Sequence, residues 1–222
     1  MLLRVSGLHE RLGAAVLYFV CDRNPGGRPL GEVLRGALRG GVDVFQLRDK
    51  DASDDEILAT ADEARLICAQ ASALFILNDR PDLAVIAGAD GVHVGQDDMP
   101  IDEARAIVGP DRIVGRSTHE PTQLAACAGA DYAAVGPVFE TPTKPGRPAA
   151  GIDYVRHAAE HAPAGIPWFA IGGIDASNAA DIAAAGASRI VVVRAIAEAA
   201  DPEAAASALR AAVTTGARVG TP

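Results

Sequence analysis

Short apolar runs alternate with longer stretches of helical periodicity along the whole chain. Four runs follow a junction in which a glycine ends an alanine-rich stretch: Gly41-Val42-Asp43 before VFQL, Gly88-Ala89-Asp90 before GVHV, Gly129-Ala130-Asp131 before YAAV and Gly186-Ala187-Ser188 before RIVVV. A glycine at this place is typical of a left-handed helix C-cap, and the runs after it are typical of strands. Four further runs lie between these, at 16–21, 74–77, 113–115 and 168–171, so the pattern predicts eight strands.

Helical stretches separate the predicted strands. Apolar residues recur at helical spacing over Leu30–Arg39, and Ser53 with Glu56 forms a capping box that opens a helix ending near Gln70. Eight strands that alternate with helices predict a parallel sheet. Because the unit repeats eight times in about 200 residues, the usual size of such a barrel, we predict one α/β domain over residues 1–222. The predicted fold is a single (β/α)8 TIM barrel, in preference to an open doubly wound sheet.

Composition narrows the classes of partner. Of the 222 residues, 49% are hydrophobic and 22% are charged, which is typical of a folded domain. The net charge of −9 argues against a nucleic-acid or anionic membrane surface. The expected partners are therefore small molecules, and an anionic ligand can still bind where the few cations converge.

The cysteines and the apolar runs indicate in which cellular compartment the protein is expected. Cys21, Cys68 and Cys127 have no CxxC spacing, which argues against a zinc site or a disulfide framework and favours a reducing, cytoplasmic setting. The apolar segment 14–21 lacks a cationic start and a cleavage site, so we interpret it as a buried strand. No run reaches the roughly 20 apolar residues that span a bilayer, so no membrane partner is expected. Such barrels are often dimers, and a homodimer is left open.

Chemistry is expected where the strands end, because the active site of such a barrel lies at the carboxyl ends of its strands. Polar residues follow almost every apolar run: Gln46, Arg48, Lys50, Asn78, Asp79, Asp98, Ser117, Thr141, Thr143, Lys144 and Arg194. Gln46, Arg48 and Lys50 alternate along an extended segment, so they face one side. Arg48 can grip two oxygens and Lys50 acts as a point charge. The alternative is a solvated charged loop.

Asp79 and Asp98 follow adjacent predicted strands. Two carboxylates this close favour a hard cation, and magnesium usually takes one or two carboxylates together with waters and phosphate oxygens. Either aspartate could instead cap the helix that follows, ahead of Pro81 or Pro100. Asp97 is a weaker candidate for the metal. His93, within the fourth strand, could be no more than a hydrogen-bonded core histidine.

A second anion site is predicted after the seventh strand. Gly172 and Gly173 allow backbone N–H groups to approach a phosphate, and the loops after strands seven and eight are the usual phosphate site of this fold. Arg194 could add a cation there. The alternative is a tight turn capped by Asp175. The long segment 138–150, which carries Lys144, has the length of a lid or substrate clamp.

Several short motifs, in order along nearly the whole chain, carry a family resemblance: QLRDK (46–50), ND (78–79), GVHVGQDD (91–98), GRSTH (115–119), TPTK (141–144) and AIGGI (170–174). Together they resemble thiamine-phosphate synthase. The resemblance implies that a pyrimidine diphosphate loses its diphosphate while the nitrogen of a thiazole phosphate captures the pyrimidine methylene. The products are thiamine phosphate and diphosphate.

The resemblance also assigns roles to residues. It implies that the pyrimidine diphosphate is held by Gln46, Arg48, Lys50, Asn78, Ser117 and Lys144, of which Arg48, Lys50, Ser117 and Lys144 form the expected catalytic set. Asp79 and Asp98 would bind the Mg²⁺ cofactor. The thiazole phosphate would be held by Thr141, Thr143 and Gly173, with Val193 and Arg194 closing that pocket. The chain departs from the family at Arg194, where many members have serine.

The expected chemistry needs no protein nucleophile. An electron-rich aminopyrimidine can support positive charge on its methylene, so a dissociative path is expected, and no serine–histidine or cysteine–histidine arrangement is evident in the sequence. Two alternatives remain open: an isomerase resembling the thiazole tautomerases, and a non-catalytic sensor of phosphorylated ligands. The joint presence of Arg48, Lys50, Asp79, Asp98 and Lys144 argues against both.

Overall fold

Eight parallel strands close into a barrel within the part of the chain that the structure describes. The structure is a computed structural model that describes residues 5–141 and 148–219. The strands are β1 (Leu17–Cys21), β2 (Val44–Leu47), β3 (Leu74–Asn78), β4 (Gly91–Val94), β5 (Ile113–Thr118), β6 (Tyr132–Val135), β7 (Trp168–Ile171) and β8 (Ile190–Val192). Each strand pairs with the next, and β8 pairs with β1. The predicted TIM-barrel fold is confirmed.

Helices alternate with the strands and cover the outside of the barrel. They are α1 (Val5–Ala14), α2 (Leu30–Arg39), α3 (Asp54–Gln70), α4 (Pro81–Ile86), α5 (Ile101–Val108), α6 (Pro121–Ala125), α7 (Gly151–His161), α8 (Ala179–Ala184), α9 (Arg194–Ala197) and α10 (Pro202–Val219). The predicted capping box is confirmed, since the Ser53 hydroxyl accepts from the Glu56 N–H and the Glu56 carboxylate accepts from the Ser53 N–H. No described helix combines the length and the apolar character needed to cross a bilayer.

The strand ends differ from the prediction at three places. β5 continues three residues beyond Gly115, because Ser117 and Thr118 pair with β6 and the Thr118 hydroxyl donates to the Ala134 carbonyl at 3.1 Å. An apolar run cannot reveal such a polar extension, whose side chains are satisfied by neighbouring strands. β3 similarly includes Asn78, whereas β8 ends at Val192. Arg194 therefore begins a short helix and does not end a strand.

Alternation along the strands separates two apolar layers. Inward side chains, among them Tyr18, Val44, Tyr132 and Phe169, fill the barrel. Outward side chains pack against the helices in a larger cluster. Helix α1 places Leu12 against the inward cluster and so closes the amino-terminal end of the barrel. The opposite end is left for ligands.

The aspartates of the repeated junctions fasten the amino-terminal ends of the strands. Each accepts backbone N–H groups at the start of the preceding strand: Asp43 from Val16 and Leu17 at 2.7 and 3.0 Å, Asp90 from Phe75 at 2.9 Å and Asp131 from Val114 at 2.7 Å. The junction glycines have positive φ, as predicted for C-caps. The repeat therefore has a structural role at the end of the barrel away from the predicted chemistry.

We expect Asp131→Ala to lower the free energy of unfolding by about 2–3 kcal/mol, since hydrogen bonds to a charged group contribute about 1.5–3 kcal/mol each. The variant loses the acceptor of the Val114 N–H and the partner of Arg105. Urea denaturation measures the change. The control Asp62→Ala removes an exposed carboxylate that lies 3.9 Å from the Arg65 guanidinium, and should change little. Equal effects of both variants would contradict the structural role.

Candidate active site

One cavity of about 320 Å³ opens at the carboxyl ends of the strands. The predicted site residues that the structure describes all line it: Gln46, Arg48, Lys50, Asn78, Asp79, Asp98, Ser117, Thr141, Gly173, Val193 and Arg194. Thr143 and Lys144 lie outside the described residues, as does the rest of segment 142–147 of the predicted clamp. The predicted residues that line the cavity belong to or follow seven different strands, β2 to β8, and the fold brings them together from distant positions in the sequence.

The cationic side of the cavity follows β2. Gln46 lies within the strand and is buried, whereas Arg48 and Lys50 lie beyond its end. The Arg48 N–H donates to the Cys21 carbonyl at 2.8 Å, which keeps this segment extended beside β1. Gln46, Arg48 and Lys50 all line the cavity, and Lys50 is at the same time exposed to solvent. Two cations side by side at a barrel mouth suit a ligand with several anionic oxygens.

Asp79 turns its carboxylate into the cavity through an unusual backbone conformation. Its φ is 61°, in the left-handed region that aspartate tolerates better than most residues. Its N–H donates to the His93 carbonyl at 2.8 Å, which fixes the turn. Helix α4 begins after Arg80 with no side-chain cap, so the alternative role of Asp79 as an N-cap is wrong.

Asp98 reaches the same place from the loop after β4. One of its oxygens accepts the Gly95 N–H at 2.8 Å. Helix α5 has Pro100 at its N-cap and no side-chain cap, so Asp98 does not cap it either. Asp97, the weaker candidate, is exposed and does not line the cavity.

Burial and the neighbouring Asp98 perturb the pKa of Asp79. Burial raises the pKa of Asp79, and the neighbouring Asp98 raises it further, while Lys50 at 3.2 Å opposes the shift. A pair of facing carboxylates of this kind fits a hard divalent cation, which would relieve their repulsion. The described residues contain no group of three or more histidine, cysteine or acidic side chains that could hold a metal. A cation here would need water or ligand oxygens as well, as magnesium commonly does.

The turn after β7 forms the opposite wall. Gly172 and Gly173 have φ of 108° and 65°, and a Cβ on Gly173 would lie 2.7 Å from that of Phe139. The loop after β6 is bonded to this turn, because Val138 donates to the Ile171 carbonyl at 2.8 Å and Phe139 to that of Gly172 at 3.0 Å. These bonds bring the loop that carries Thr141 to the glycine turn.

Asp175 caps the tight turn ahead of α8, as the alternative interpretation held, although it does not cap the helix itself. Its carboxylate accepts from the Ser177 N–H and hydroxyl at 2.8 and 2.5 Å, which lowers the pKa of Asp175. Asn178 occupies the N-cap position of α8. Arg194, at the start of α9, is exposed at the rim of the same wall. Its side chain is therefore available to a ligand in the cavity.

Three residues at the cavity or beneath it escaped the sequence interpretation. Tyr18 and Tyr132 lie in β1 and β6, where they read as parts of apolar runs, and their hydroxyls meet at 2.8 Å across the barrel. His119 donates from Nδ1 to the Gly136 carbonyl at 2.5 Å and lines the cavity. An inward-facing tyrosine in a strand is the one signal that could have indicated the first two.

His93 is a buried core histidine, as one interpretation held, and it also lines the cavity. Its Nε2 lies 2.9 Å from the Ser117 hydroxyl. The expectation that the chain has no serine–histidine arrangement is therefore wrong. The two residues are 24 positions apart, and only the pairing of β4 with β5 brings them together.

The family model for thiamine monophosphate synthase matches residues 17–196, from β1 into α9. The chain belongs to the thiamine monophosphate synthase family. The match takes in every described residue assigned to the site, so the family assignment and the cavity concern the same part of the molecule.

Two relatives within this family match this chain over nearly their whole length. The thiamine-phosphate synthase of Saccharopolyspora erythraea is 50% identical over 212 residues, covering 92% of this chain and 95% of the relative. That of Mycolicibacterium smegmatis is 48% identical over 216 residues, with the same coverage. The solved structure of thiamine phosphate pyrophosphorylase from Pyrococcus furiosus matches with a TM-score of 0.83 and 34% identity, over 94% of this chain and 98% of that one. An enzyme of the thiamine monophosphate synthase family is thus supported by sequence and by fold.

We expect Gly173→Ala to weaken binding of a phosphate monoester severalfold and to destabilise the fold by more than the roughly 1–2 kcal/mol that a left-handed alanine costs. The added Cβ would push against Phe139 and displace the turn. Calorimetric titration and urea denaturation measure the two effects. Gly27→Ala is the matched control, because Gly27 has φ of 76° and nothing within 4 Å of an added Cβ. Indistinguishable results for the two variants would contradict a built turn at Gly173.

Proposed function

We propose that this chain condenses 4-amino-2-methyl-5-(diphosphooxymethyl)pyrimidine with thiazole phosphate, giving thiamine phosphate and diphosphate in a magnesium-dependent reaction. The observation that carries the proposal is that one cavity has two polar walls, each of which could bind an anionic group. Arg48, Lys50 and the Asp79–Asp98 pair lie on one side, and the Gly172–Gly173 turn with Thr141 lies on the other. Two phosphorylated rings facing each other across a barrel mouth suit a reaction that joins them.

The reaction breaks one bond and forms another. The bond between the pyrimidine methylene and the diphosphate oxygen breaks, and its electron pair leaves with the diphosphate. The thiazole nitrogen supplies the pair for the new bond to the methylene carbon. Because the aminopyrimidine can carry positive charge at the methylene, departure of diphosphate can precede capture. No covalent bond to the protein is needed.

Charge stabilisation is the main task of the cationic wall. Arg48 and Lys50 would neutralise the negative charge that develops on the departing diphosphate, the electrostatic effect that often dominates catalysis. Asp79 and Asp98 would hold a magnesium ion, which would supply further positive charge near the departing diphosphate. Gln46, Asn78 and Ser117 would orient the pyrimidine end. Lys144 is assigned to this side by the family resemblance alone.

Positioning is the task of the opposite wall. Thr141, Thr143 and Gly173 would hold the thiazole phosphate, with Val193 and Arg194 beside it. Fixing the phosphate leaves the ring nitrogen aimed at the methylene, and such proximity can contribute about 7–11 kcal/mol in well-oriented reactions. The cavity lining also includes apolar residues such as Val20, Ile171 and Val191, which would limit the access of water to the cationic methylene.

We expect Asp79→Asn to reduce turnover at least about 100-fold, because one carboxylate of the pair and its charge are lost. Asparagine tolerates positive φ, so the turn and the fold should be retained. Diphosphate release, measured with both substrates across a magnesium titration, checks the expectation. Asp102→Asn, on the exposed side of α5, is the control and should retain full activity.

Near-normal turnover of Asp79→Asn would contradict the metal pair. The same assay tests the function as a whole, because diphosphate release must depend on the thiazole phosphate. A tautomerase or a binding protein would release no diphosphate under these conditions.

We expect Arg194→Ser to raise the KM for the thiazole phosphate severalfold and to leave kcat nearly unchanged. The exposed guanidinium would contact the thiazole phosphate and not the reacting methylene, so it would contribute to binding rather than to chemistry. Steady-state kinetics with each substrate varied in turn measures both constants. Arg156→Ser, on α7, removes an exposed arginine outside the cavity and serves as the control. An unchanged KM in Arg194→Ser would remove this residue from the site.

A further inference from the structure

A chain of hydrogen bonds crosses the interior of the barrel directly beneath the cavity. It runs from Gln46 Nε2 to the Tyr18 hydroxyl at 2.6 Å, on to the Tyr132 hydroxyl at 2.8 Å, to His93 Nδ1 at 2.9 Å, and from His93 Nε2 to the Ser117 hydroxyl at 2.9 Å. All five side chains are buried. Both ends, Gln46 and Ser117, line the cavity. This series of hydrogen bonds therefore connects two parts of the site that belong to different strands.

Gln46 decides which group donates and which accepts in each of these hydrogen bonds. The nitrogen of the Gln46 amide can only donate, so the Tyr18 oxygen accepts, and the single proton of Tyr18 then points to Tyr132. Tyr132 in turn donates to Nδ1 of His93, which leaves the ring proton on Nε2. Nε2 then donates to the Ser117 oxygen, and the proton of Ser117 must point elsewhere.

The two tyrosines keep their protons throughout the physiological range. Burial is the largest influence on each, and it raises the pKa of Tyr18 and of Tyr132 well above the ordinary value for tyrosine. Each hydroxyl therefore carries one proton that it can donate, and its protonation state stays the same. The direction of the chain does not change with pH at these two members.

The surrounding packing holds the members in place. Phe169 lies edge-on to both tyrosine rings, with centroids 5.6 and 5.7 Å away, and the ring of His93 lies against Tyr132 at 5.5 Å. A Cβ on Gly115 would come within 2.1 Å of the Tyr132 ring, so the glycine leaves the space that the ring fills. The hydroxyls are therefore positioned by packing before any ligand arrives.

We propose that Tyr18 and Tyr132 are positioning residues that fix His93 with its proton on Nε2 and thereby make the Ser117 hydroxyl a donor into the cavity. The ligand that accepts this hydrogen bond is the pyrimidine diphosphate, a point that rests on the proposed function. The same direction removes His93 as a base for Ser117, because Nε2 already carries a proton. The serine–histidine pair thus serves recognition and makes no nucleophile.

Histidine ring NMR tests the direction without any activity. In protein labelled with ¹⁵N-histidine, His93 should show a protonated Nε2 and an unprotonated Nδ1. Tyr132→Phe removes the donor to Nδ1 and should shift His93 towards the other tautomer. Phe169→Leu is the control, because it alters the packing and removes none of these hydrogen bonds. It should leave the tautomer of His93 unchanged. A proton on Nδ1 in the unaltered protein, or no change in Tyr132→Phe, would overturn the proposal.

A double-mutant cycle tests the consequence for the reaction. Tyr132→Phe should lower kcat/KM for the pyrimidine diphosphate about tenfold, the effect of one well-oriented hydrogen bond. In a Ser117→Ala background the same substitution should cost less than about twofold, because its effect passes through the Ser117 hydroxyl. Tyr18→Phe, which interrupts the chain one step earlier, should behave in the same way.

Equal losses from Tyr132→Phe in both backgrounds would mean that Tyr132 acts only on packing, and would overturn the proposal. Absence of synthase activity in the unaltered protein would instead refute the proposed function. The tautomer measurement would still decide the direction of the hydrogen bonds.

Discussion

The backbone pairing that closes β8 onto β1 is the constraint on which the rest of this molecule depends. Leu17 lies opposite Ile190, and with this register all the strands run in the same direction around one ring. Parallel closure places every carboxyl end at one mouth and every alternate side chain in one interior. The cationic residues after β2, the carboxylates after β3 and β4 and the glycine turn after β7 become neighbours for this reason alone. A protein with a net charge of −9 thereby gathers cations where an anionic ligand can reach them.

The two ends of the barrel use aspartate in opposite ways. At the amino-terminal end, Asp43 and Asp131 accept backbone N–H groups and pair with arginines, so their charges stabilise the fold. At the mouth, Asp79 and Asp98 face each other, and burial together with this repulsion raises the pKa of Asp79. Such an arrangement opposes stability, and it is the kind of perturbed pair that functional sites concentrate. The left-handed backbone of Asp79 adds to the same local cost.

Between the two ends, the interior contains polar groups that must be satisfied. A buried hydroxyl or imidazole without a partner would cost about 1–3 kcal/mol. Here each hydroxyl and imidazole along the chain from Tyr18 to Ser117 finds its partner on another strand, and the residues Gly115 and Phe169 shape the space around it. The polar interior and the site above it are therefore one connected structure. Because the interior is tightly packed, the side chains that face the ligand, Gln46 and Ser117, are held in fixed positions.

The sequence by itself determined the elements and most of the mouth. Local signals suffice for a C-cap glycine, a capping box or an apolar run, because these depend on residues close in the chain, and the rule that strand ends carry the chemistry then indicated residues such as Lys50 and Asp79. Tertiary structure alone decided the polar continuation of β5 and the left-handed turn at Asp79. It alone also joined Tyr18 to Tyr132, which are 114 positions apart, and His93 to Ser117. Those contacts arise from the closure and stagger of the barrel, which bring together side chains that no local pattern relates.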